Sequence, residues 1–406
     1  MGPLNGYRVL ELGSTAAGPF CARLLGDFGA EVIKIESEEG DPIRHLGETV
    51  NGKSLYAASI ARNKHIASID LRRPEGRALI LKMLPAFDAV VENFRPGTLE
   101  RWGLSYDELS RVRPGLILTR ISGYGQTGPY RHRPGYGVIG EAVSGLRHMI
   151  GEPDRPPSRA AVPLTDYIAG LYAAFSTVMA LLHRERTSEG QSIDVALTEA
   201  AFSFMESFVP AFDKLGKIGS RTGSRLPNSA PNNLYPTRDH DHILIAALAN
   251  PIFRRLAAAM EQPDLAIDPR FADQASRNAH EDALDGIVSA WTSTRDLAEL
   301  ERILQAADVP ASRVFTMADV FQDPQYRARN MLQVVDDEDI GPVTLAGVVP
   351  LMSGTPGSVR WSGHRVGQDT REVLSTFADV DSAELDALVR QGIVFCGEAA
   401  AAVPTV

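Results

Sequence analysis

Short apolar runs alternate with amphipathic segments along the first third of the chain. A turn of small residues at 13–18 separates the first predicted strand from a helix that has proline in its first turn. Repeated units of this kind are typical of an α/β fold with a mostly parallel sheet. Strands are predicted over 7–12, 31–35, 89–91 and 116–121, and helices over 19–28 and 73–84.

Farther along, apolar residues recur at helical spacing from 164 to 182 and predict a long buried helix with Asp166 in its first turn. A carboxylate there faces unpaired backbone N–H groups and the positive end of the helix dipole, which holds it ionised unless the pocket is dry. The alternative is a plain helix cap, because Thr165 and Asp166 are both good capping residues. The local pattern leaves both interpretations open.

A stretch rich in Gly, Ser, Arg, Pro and Asn at 216–233 predicts a linker and a domain boundary. After it come two strands within 234–248, joined by a polar turn at 238–241, and several amphipathic helices. We predict a large domain over 1–200, a linker over 201–233, a small α+β domain over 234–315, and a second linker with a C-terminal return to the large domain over 316–406. The one low-complexity tract is alanine-rich and covers 398–403.

Composition narrows the class of protein. The 406 residues are 44% hydrophobic and 23% charged, enough to bury a large core. No apolar run approaches the roughly 20 residues of a membrane span, and the N-terminus leads into a strand pattern, so we expect a cytoplasmic protein with no membrane partner. Cys21 and Cys396 are far apart and lack metal-site spacing, which predicts neither a disulfide nor a zinc site.

The formal net charge of -10 argues against nucleic-acid binding, which needs a basic face. A small anionic ligand would instead need a local basic pocket. Taken one at a time, the candidate cations are expected to be solvated surface charges: Lys64, Arg72, Arg73, Arg95, Arg101, Arg131 and Arg133.

Residues 123–128 spell GxGxxG after a predicted strand, the fingerprint of a dinucleotide site. That fingerprint requires a helix to begin within it, whereas residues 129–135 break helix, so we predict no nicotinamide or flavin site. A glycine-rich loop can still approach a ligand closely. Motifs of metallohydrolases, serine hydrolases and P-loop enzymes are missing from the sequence, and no metal site is predicted.

Taken in order, many segments resemble the family III CoA-transferases, the CaiB/BaiF type. Each segment is weak alone, but the ordered set spans nearly the whole chain. The matching segments are 9–12 (VLEL), 17–19 (AGP), 25–36 (LGDFGAEVIKIE), 62–64 (RNK), 91–97 (VENFRPG), 123–129 (GYGQTGP), 134–136 (PGY), 165–170 (TDYIAG), 190–191 (GQ), 268–271 (DPRF), 309–310 (VP), 323–325 (DPQ) and 392–394 (GIV).

The resemblance implies a Rossmann-like large domain with a parallel sheet plus a smaller α+β domain, in an interlocked homodimer. It implies an acyl-CoA transferase in which Asp166 is the nucleophile and coenzyme A or acyl-CoA is a substrate, with no tightly bound cofactor. The residues expected at the CoA thioester are Ala16, Ala17, Leu71, Arg72, Arg73, Asn93, Phe94, Arg95, Arg101 and Tyr136. The turn ending at Tyr136 is expected to cover the pantetheine arm.

Two alternatives remain beside the transferase, an acyl-CoA racemase or epimerase and a CoA-binding protein without catalysis. Racemases of this group carry a histidine where this chain has Tyr136, and loss of the imidazole removes the group best suited to proton exchange near neutral pH. The sequence therefore favours CoA transfer.

Departures from the family pattern bear on the substrate. Family members that act on formyl-CoA carry a glutamine near the position of Ala16, and their glycine-rich small-domain loop is replaced here by residues 246–250 (AALAN). We therefore do not expect oxalate as a substrate. The likeness to glutarate-type members predicts succinyl-CoA as donor and a short dicarboxylic acid or hydroxyacid as acceptor.

Overall fold

A computed structural model describes residues 2–397, so the alanine-rich tract at 398–403 lies outside the described residues. The strands are β1 Arg8–Glu11, β2 Glu31–Glu36, β3 Thr49–Val50, β4 Lys53–Ser54, β5 Lys64–Ile69, β6 Ala89–Glu92, β7 Ile117–Ser122, β8 Gln191–Ala196, β9 Asn232–Pro236, β10 His242–Ala246, β11 Ala311–Arg313, β12 Leu332–Asp337, β13 Gly341–Ala346 and β14 Val394–Phe395.

The α-helices alternate with these strands in the first half of the chain and cluster in the second. They are α1 Ala17–Asp27, α2 Leu55–Ile60, α3 Pro74–Met83, α4 Thr98–Arg101, α5 Tyr106–Val112, α6 Gly137–Val143, α7 Leu164–Thr187, α8 Leu197–Phe202, α9 Phe208–Leu215, α10 Asn250–Ala259, α11 Gln274–Ala279, α12 Glu281–Thr292, α13 Leu297–Ala306, α14 Met317–Gln322, α15 Pro324–Ala328, α16 Thr370–Ala378 and α17 Ser382–Arg390.

Seven strands form one sheet in the order β14-β5-β2-β1-β6-β7-β8. Its first six strands in chain order are mutually parallel, and β14 pairs antiparallel with β5 at the edge. Numbered along the chain, the parallel strands follow the order 3-2-1-4-5-6 of a doubly wound fold. The strand order reverses between β1 and β6, which pair with Leu10 opposite Val90. The predicted α/β fold with a mostly parallel sheet is confirmed.

Each face of the sheet is covered by its own apolar core. One core includes Leu10, Ile33 and Leu118 and packs with residues of α3 and α16. The other includes Val9, Val91 and Ala173 and packs with residues of α1 and α7. Because successive strand residues point to opposite faces, Val9 and Leu10 belong to different cores. Burial on both faces explains why the strands are nearly continuous apolar runs in the sequence.

By contact density, the chain divides into two compact units. The first contains residues up to 146, 160–213 and those from 325 onward, and the second contains 147–159 and 214–324. The second unit has its own core of residues that include Tyr235, Phe253 and Leu300, around the antiparallel sheet β11-β10-β9. Residues 147–159 cluster with the second unit rather than the first, a grouping that no sequence pattern indicated. The predicted domain boundaries stay a prediction.

Within the described residues, α7 is the one helix long and apolar enough to cross a bilayer by length and composition. We had expected no run of that kind. In the fold, 44% of its apolar stretch is buried, and Ala169, Ala173 and Ala180 belong to the core beneath the sheet. A core helix passes the same test, so this feature is weak support for a membrane span.

One expectation about charged residues is wrong. Lys64 was expected on the surface, but its side chain is buried and its Nζ lies 2.7 Å from Glu11 Oε2. Its neighbour Arg62 is also buried and pairs with Asp27, with Nη2 2.6 Å from Oδ2. Charged side chains inside a core require a partner, and both residues have one. Through these two ion pairs, residues 62–64 connect the start of β5 to β1 and α1.

Candidate active site

The point at which the strand order reverses holds a cavity of about 280 Å³. Its walls come from the segments that follow the carboxyl ends of β1 and β6, together with residues at the ends of β7 and β8. Ligands of doubly wound folds bind at this position, where neighbouring loops diverge and leave a crevice. The cavity is lined by Ser14, Thr15, Ala16, Ala17, Pro42, Asn93, Phe94, Arg95, Pro96, Ile121, Ser122, Gly123, Arg133, Gly135, Tyr136, Asp166 and Leu197.

Asp166 is the one acidic residue on the cavity wall. It is the third residue of α7, in the first turn, where backbone N–H groups have no acceptor within the helix. Gly137, the first residue of α6, packs directly against it: a Cβ built on Gly137 would lie 1.8 Å from Asp166 Oδ2. Two helix N-termini therefore meet at this carboxylate, and the dipoles of both favour its ionised form.

Asn93 joins the loop that follows β6 to the loop that follows β1 by hydrogen bonds. Its Oδ1 accepts a hydrogen bond from the backbone N–H of Ser14 at 2.7 Å, and its Nδ2 donates to the Ser14 carbonyl at 2.8 Å. The Asn93 amide thus forms hydrogen bonds with both the N–H and the carbonyl of Ser14, across the switch point. Asn93 lines the cavity, but its polar atoms are used to hold the loop that contains Ala16 and Ala17.

A buried cluster of charges lies beneath the same loop. Lys34 Nζ lies 2.9 Å from Glu11 Oε1 and 2.8 Å from Asp41 Oδ2, and it donates to the Gly13 carbonyl at 2.7 Å. Asp41 accepts the backbone N–H of Thr15 at 2.8 Å. Burial opposes the ionised forms of Lys34 and Asp41. The nearby carboxylates nevertheless raise the pKa of Lys34, and the Lys34 ammonium group lowers the pKa of Asp41.

Thr15 has a φ of 68°, a left-handed conformation that a β-branched residue rarely adopts. Its hydrogen bond to Asp41 compensates for part of this strain and orients the backbone of the loop. Because Thr15 and Asp166 line the same cavity, the buried charges help to determine the shape of the cavity that holds the carboxylate.

A second cavity, of about 220 Å³, shares Ser14, Pro42 and Phe94 with the first. It is also lined by Leu71 and Arg72. At this cavity the rings of Phe94 and Trp102 pack edge to face with their centres 5.1 Å apart. Arg72 is two-thirds exposed and forms a bidentate pair with Asp70, with Nε 2.8 Å from Oδ1. The two cavities together form an elongated site that begins near Arg72 and ends at Asp166.

The structure brings most of the predicted site residues to these two cavities. Arg73 and Arg101 line neither cavity; Arg73 precedes α3 and Arg101 ends α4. Sequence reasoning missed four residues of the cavity and its support: Thr15, Asp41, Arg133 as a wall residue, and Gly137. The sequence signal that could have found Gly137 is its position directly after the PGY segment at 134–136. Residues at the cavity walls are Ala16, Ala17, Leu71, Arg72, Asn93, Phe94, Arg95, Tyr136 and Asp166.

Among the described residues, no histidine lines the cavity that contains Asp166. The one group of potential metal ligands in the described chain is His65, His364 and Asp369, and none of them lines this cavity. His364 Nδ1 lies 2.8 Å from Asp369 Oδ2, and His65 Nδ1 lies 3.5 Å from Oδ1. Ion pairing between the rings and the carboxylate accounts for this cluster.

The GxGxxG segment also behaves as its context indicates. No helix begins within 123–128, and the next helix, α6, begins at Gly137. The turn at the switch point is instead formed by residues 12–16, which lead from β1 into α1. Fold and cavity together define a doubly wound α/β protein with a cavity at the strand-order reversal, whose wall holds one carboxylate.

Comparison with known proteins agrees with this class. The family model for CoA-transferase family III matches residues 4–370, and the chain belongs to that family. It is therefore a CoA-transferase, an enzyme that moves coenzyme A from an acyl-CoA donor to a carboxylic acid.

Two curated relatives show how far the similarity extends. The chain is 45% identical over 394 residues to succinyl-CoA–D-citramalate CoA-transferase of Chloroflexus aurantiacus, covering 97% of this chain and 98% of the relative. It is 34% identical over 388 residues to succinate–glutarate CoA-transferase of Agrobacterium fabrum, covering 93% and 96%. The similarity thus extends over nearly the full length of each.

Solved structures match as well. The crystal structure of a CaiB/BaiF family protein from Brucella suis has a TM-score of 0.82 at 32% identity and covers 93% of this chain and 99% of that one. The mostly parallel sheet with additional small sheets is thus the fold of this family.

Proposed function

We propose that Asp166 is the nucleophile of this CoA-transferase and carries first the acyl group and then the CoA. The single observation behind this proposal is the position of Asp166: its carboxylate is the one acidic group on the wall of the switch-point cavity. Its two helix N-termini would keep it ionised, as a nucleophile requires.

The chemistry proceeds in four balanced steps. Asp166 attacks the donor thioester, which forms an aspartyl-acyl anhydride and releases the CoA thiolate. The thiolate attacks the aspartyl carbonyl, which forms an aspartyl-CoA thioester and releases the donor acid. The acceptor carboxylate attacks this thioester to give a second anhydride and CoA thiolate, and the thiolate then attacks the acyl carbonyl to give the new acyl-CoA and free Asp166. Backbone N–H groups at the starts of α6 and α7 are suited to stabilise the oxyanions.

In this proposal the CoA thioester extends through the two joined cavities. Its nucleotide end is near Leu71 and Arg72, its pantetheine arm passes Phe94, and its thioester reaches Asp166 beneath the turn that ends at Tyr136. Arg95 on the wall, and Arg73 and Arg101 through their long side chains, supply cations for the phosphates. Ala16 and Ala17 border the reacting group. Because Arg72 also pairs with Asp70, its phosphate contact would be shared with that carboxylate.

For the substrates, we propose succinyl-CoA as donor and a short dicarboxylic acid or hydroxyacid as acceptor. This follows the names of the two relatives, succinyl-CoA–D-citramalate CoA-transferase and succinate–glutarate CoA-transferase. The chain requires no tightly bound cofactor for this chemistry, because the covalent intermediates form on its own carboxylate.

We also propose an interlocked homodimer located in the cytoplasm. α7 exposes apolar side chains that would need cover from a second copy, among them Leu171, Phe175 and Leu182, which are more than half exposed. They border an apolar groove of about 560 Å³. Cys21 and Cys396 are free thiols, which suits a reducing compartment. Light scattering during gel filtration tests the dimer, which predicts twice the chain mass of 44.0 kDa.

The mechanism is tested by incubating the protein with panels of acyl-CoA donors and carboxylic acids and following new thioesters by mass spectrometry. We expect transfer by the parent and by Asp107→Ala, an exposed aspartate in α5, but none by Asp166→Ala. Addition of donor alone to the parent should give a protein adduct of CoA that hydroxylamine removes. Full transfer by Asp166→Ala would overturn the proposal.

A further inference from the structure

Two cations line the Asp166 cavity, Arg95 and Arg133. Among the described residues, neither has a carboxylate within ion-pairing distance of 4 Å, whereas the buried Lys34, Arg62 and Arg120 all do. An arginine that faces a cavity without an anionic partner is available to an anionic ligand. The proposed function already gives Arg95 a ligand, the CoA phosphates, and leaves Arg133 without one.

Arg133 lies on the acyl side of the cavity. Its loop continues through Gly135 and Tyr136, both on the cavity wall, to Gly137, which packs against Asp166. Arg95 follows Phe94, the residue shared with the second cavity. The two arginines therefore lie on different loops: that of Arg133 leads to the residue that packs against Asp166, and that of Arg95 follows the residue shared by both cavities.

The guanidinium of Arg133 is held in place before any ligand binds. Its carbon lies 3.5 Å from the centre of the Tyr130 ring, and the backbone N–H of Arg133 donates to the Tyr130 carbonyl at 2.8 Å. The Tyr130 ring packs edge to face on Tyr124, with centres 5.7 Å apart. Stacking occupies a face of the guanidinium and leaves its N–H edge for a bidentate contact with a carboxylate.

We infer that Arg133 binds the non-reacting carboxylate of dicarboxylic donors and acceptors. This inference rests on the proposed function. In the first half-reaction a dicarboxylic donor brings its thioester carbonyl to Asp166, and in the second an acceptor brings one carboxylate to the aspartyl-CoA thioester. In both cases a second carboxylate remains on the acid, and it enters the same cavity. Arg133 neutralises that second charge and fixes the acid's orientation, so it determines specificity for dicarboxylic over monocarboxylic acids.

The decisive variant is Arg133→Gln, with Arg131→Gln as a matched control, because Arg131 is exposed on the same loop and does not line the cavity. We expect kcat/KM for succinyl-CoA with a dicarboxylic acceptor to fall about 10- to 100-fold in Arg133→Gln, the loss of one charged bidentate contact. With butyryl-CoA and butyrate, kcat/KM of Arg133→Gln should stay within about twofold of the parent value. Arg133→Lys should recover part of the loss.

The phosphates of CoA share the anionic chemistry of a carboxylate, so the affinity for free CoA is measured in parallel by calorimetry. An unchanged Kd for CoA in Arg133→Gln supports the inference. A Kd raised tenfold or more, or an equal loss with butyryl-CoA, would assign Arg133 to the nucleotide and overturn it. Undiminished kcat/KM with dicarboxylates would overturn it as well.

A binding experiment separates this inference from the proposed mechanism. Asp166→Ala saturated with CoA is titrated with succinate and with butyrate, which requires no turnover. We expect succinate to bind and Arg133→Gln on this background to weaken it about 10- to 100-fold, with butyrate unaffected. Transfer by Asp166→Ala would refute the mechanism alone, whereas equal succinate binding with and without Arg133 would refute this inference alone.

Discussion

Gly137 and Asp166 are in such close contact that the space a Cβ would occupy on Gly137 is already filled by the carboxylate, with Oδ2 1.8 Å from the ideal Cβ position. The two residues are 29 positions apart in sequence. They meet because α6 and α7 begin at the same side of the switch-point cavity.

Gly137→Ala should therefore displace the carboxylate without unfolding the protein. Overlap with the partly buried carboxylate is relieved by rotation of the Asp166 side chain. A shift of about 1 Å at a reacting group costs on the order of 10²-fold in rate. We expect kcat to fall by about that factor, with KM for acyl-CoA and the melting temperature nearly unchanged. Gly286→Ala, at an open helical position, is the control. Unaltered kcat would show that Asp166 is not held in its reactive position by this contact.

Asp41→Asn should loosen the loop that contains Thr15 and lines the Asp166 cavity. The change leaves Lys34 buried with one carboxylate fewer, and breaking a buried ion pair destabilises a protein by about 3–5 kcal/mol. Urea unfolding measures the loss. Asp296→Asn removes a half-exposed pair with Arg238, which solvent screens, and should cost much less stability than Asp41→Asn. Equal effects of the two substitutions would contradict the structural importance of the buried cluster.

Tyr136→His tests whether a lone imidazole converts the reaction to proton exchange. Tyr136 is 72% exposed at the start of α6, and no histidine among the described residues lines the cavity. We expect CoA transfer to persist and solvent deuterium to stay out of the acyl α-position, because an imidazole on this exposed turn is not held in position to remove the α-proton. Mass spectrometry of the recovered acyl-CoA measures the label, and rapid incorporation would revive the racemase alternative.

Asp369 connects the C-terminal segment to β5 through His65 and His364, which gives stability a pH dependence. Its hydrogen bond raises the pKa of His65 against the effect of burial. Burial of Asp369 raises its pKa, but the hydrogen bonds with His364 and His65 outweigh burial, and the pKa of Asp369 is lowered. The aspartate's contribution is present above its ordinary pKa of 3.8 and is lost as pH falls through the lowered value.

The contribution of His65 is fully present below its ordinary pKa of 6.5 and is lost as pH rises through the raised value. Between pH 6 and pH 9 we expect the parent to lose about 0.5–1 kcal/mol of this stabilisation, a figure reduced for solvent screening of the partly exposed groups. Denaturant titrations at both pH values measure it. The loss should be absent in Asp369→Asn and retained in His183→Gln, a variant of an exposed histidine. A pH dependence that survives in Asp369→Asn would assign it elsewhere.

Local pattern predicted much of the fold. The strand predicted over 31–35 is Glu31–Glu36, and the helix predicted over 73–84 is Pro74–Met83. The apolar spacing from 164 onward predicted α7, which continues to Thr187. β5 and β8 were missed. β5 begins with charged Lys64, and β8 has polar residues through its first half, so neither has the apolar run that identified the other strands.

The sequence by itself determined the alternation of strands and helices, the family, and Asp166 as the candidate nucleophile, because apolar periodicity and ordered motifs are properties of the chain. Only the tertiary structure decided that Lys64 is buried against Glu11, that Asp41 supports Thr15, that Gly137 touches Asp166 and that Arg133 shares their cavity. Each of these relationships joins residues far apart along the chain. The crossovers of the sheet bring them together, and burial then determines which charges must be paired and which stay available to a ligand.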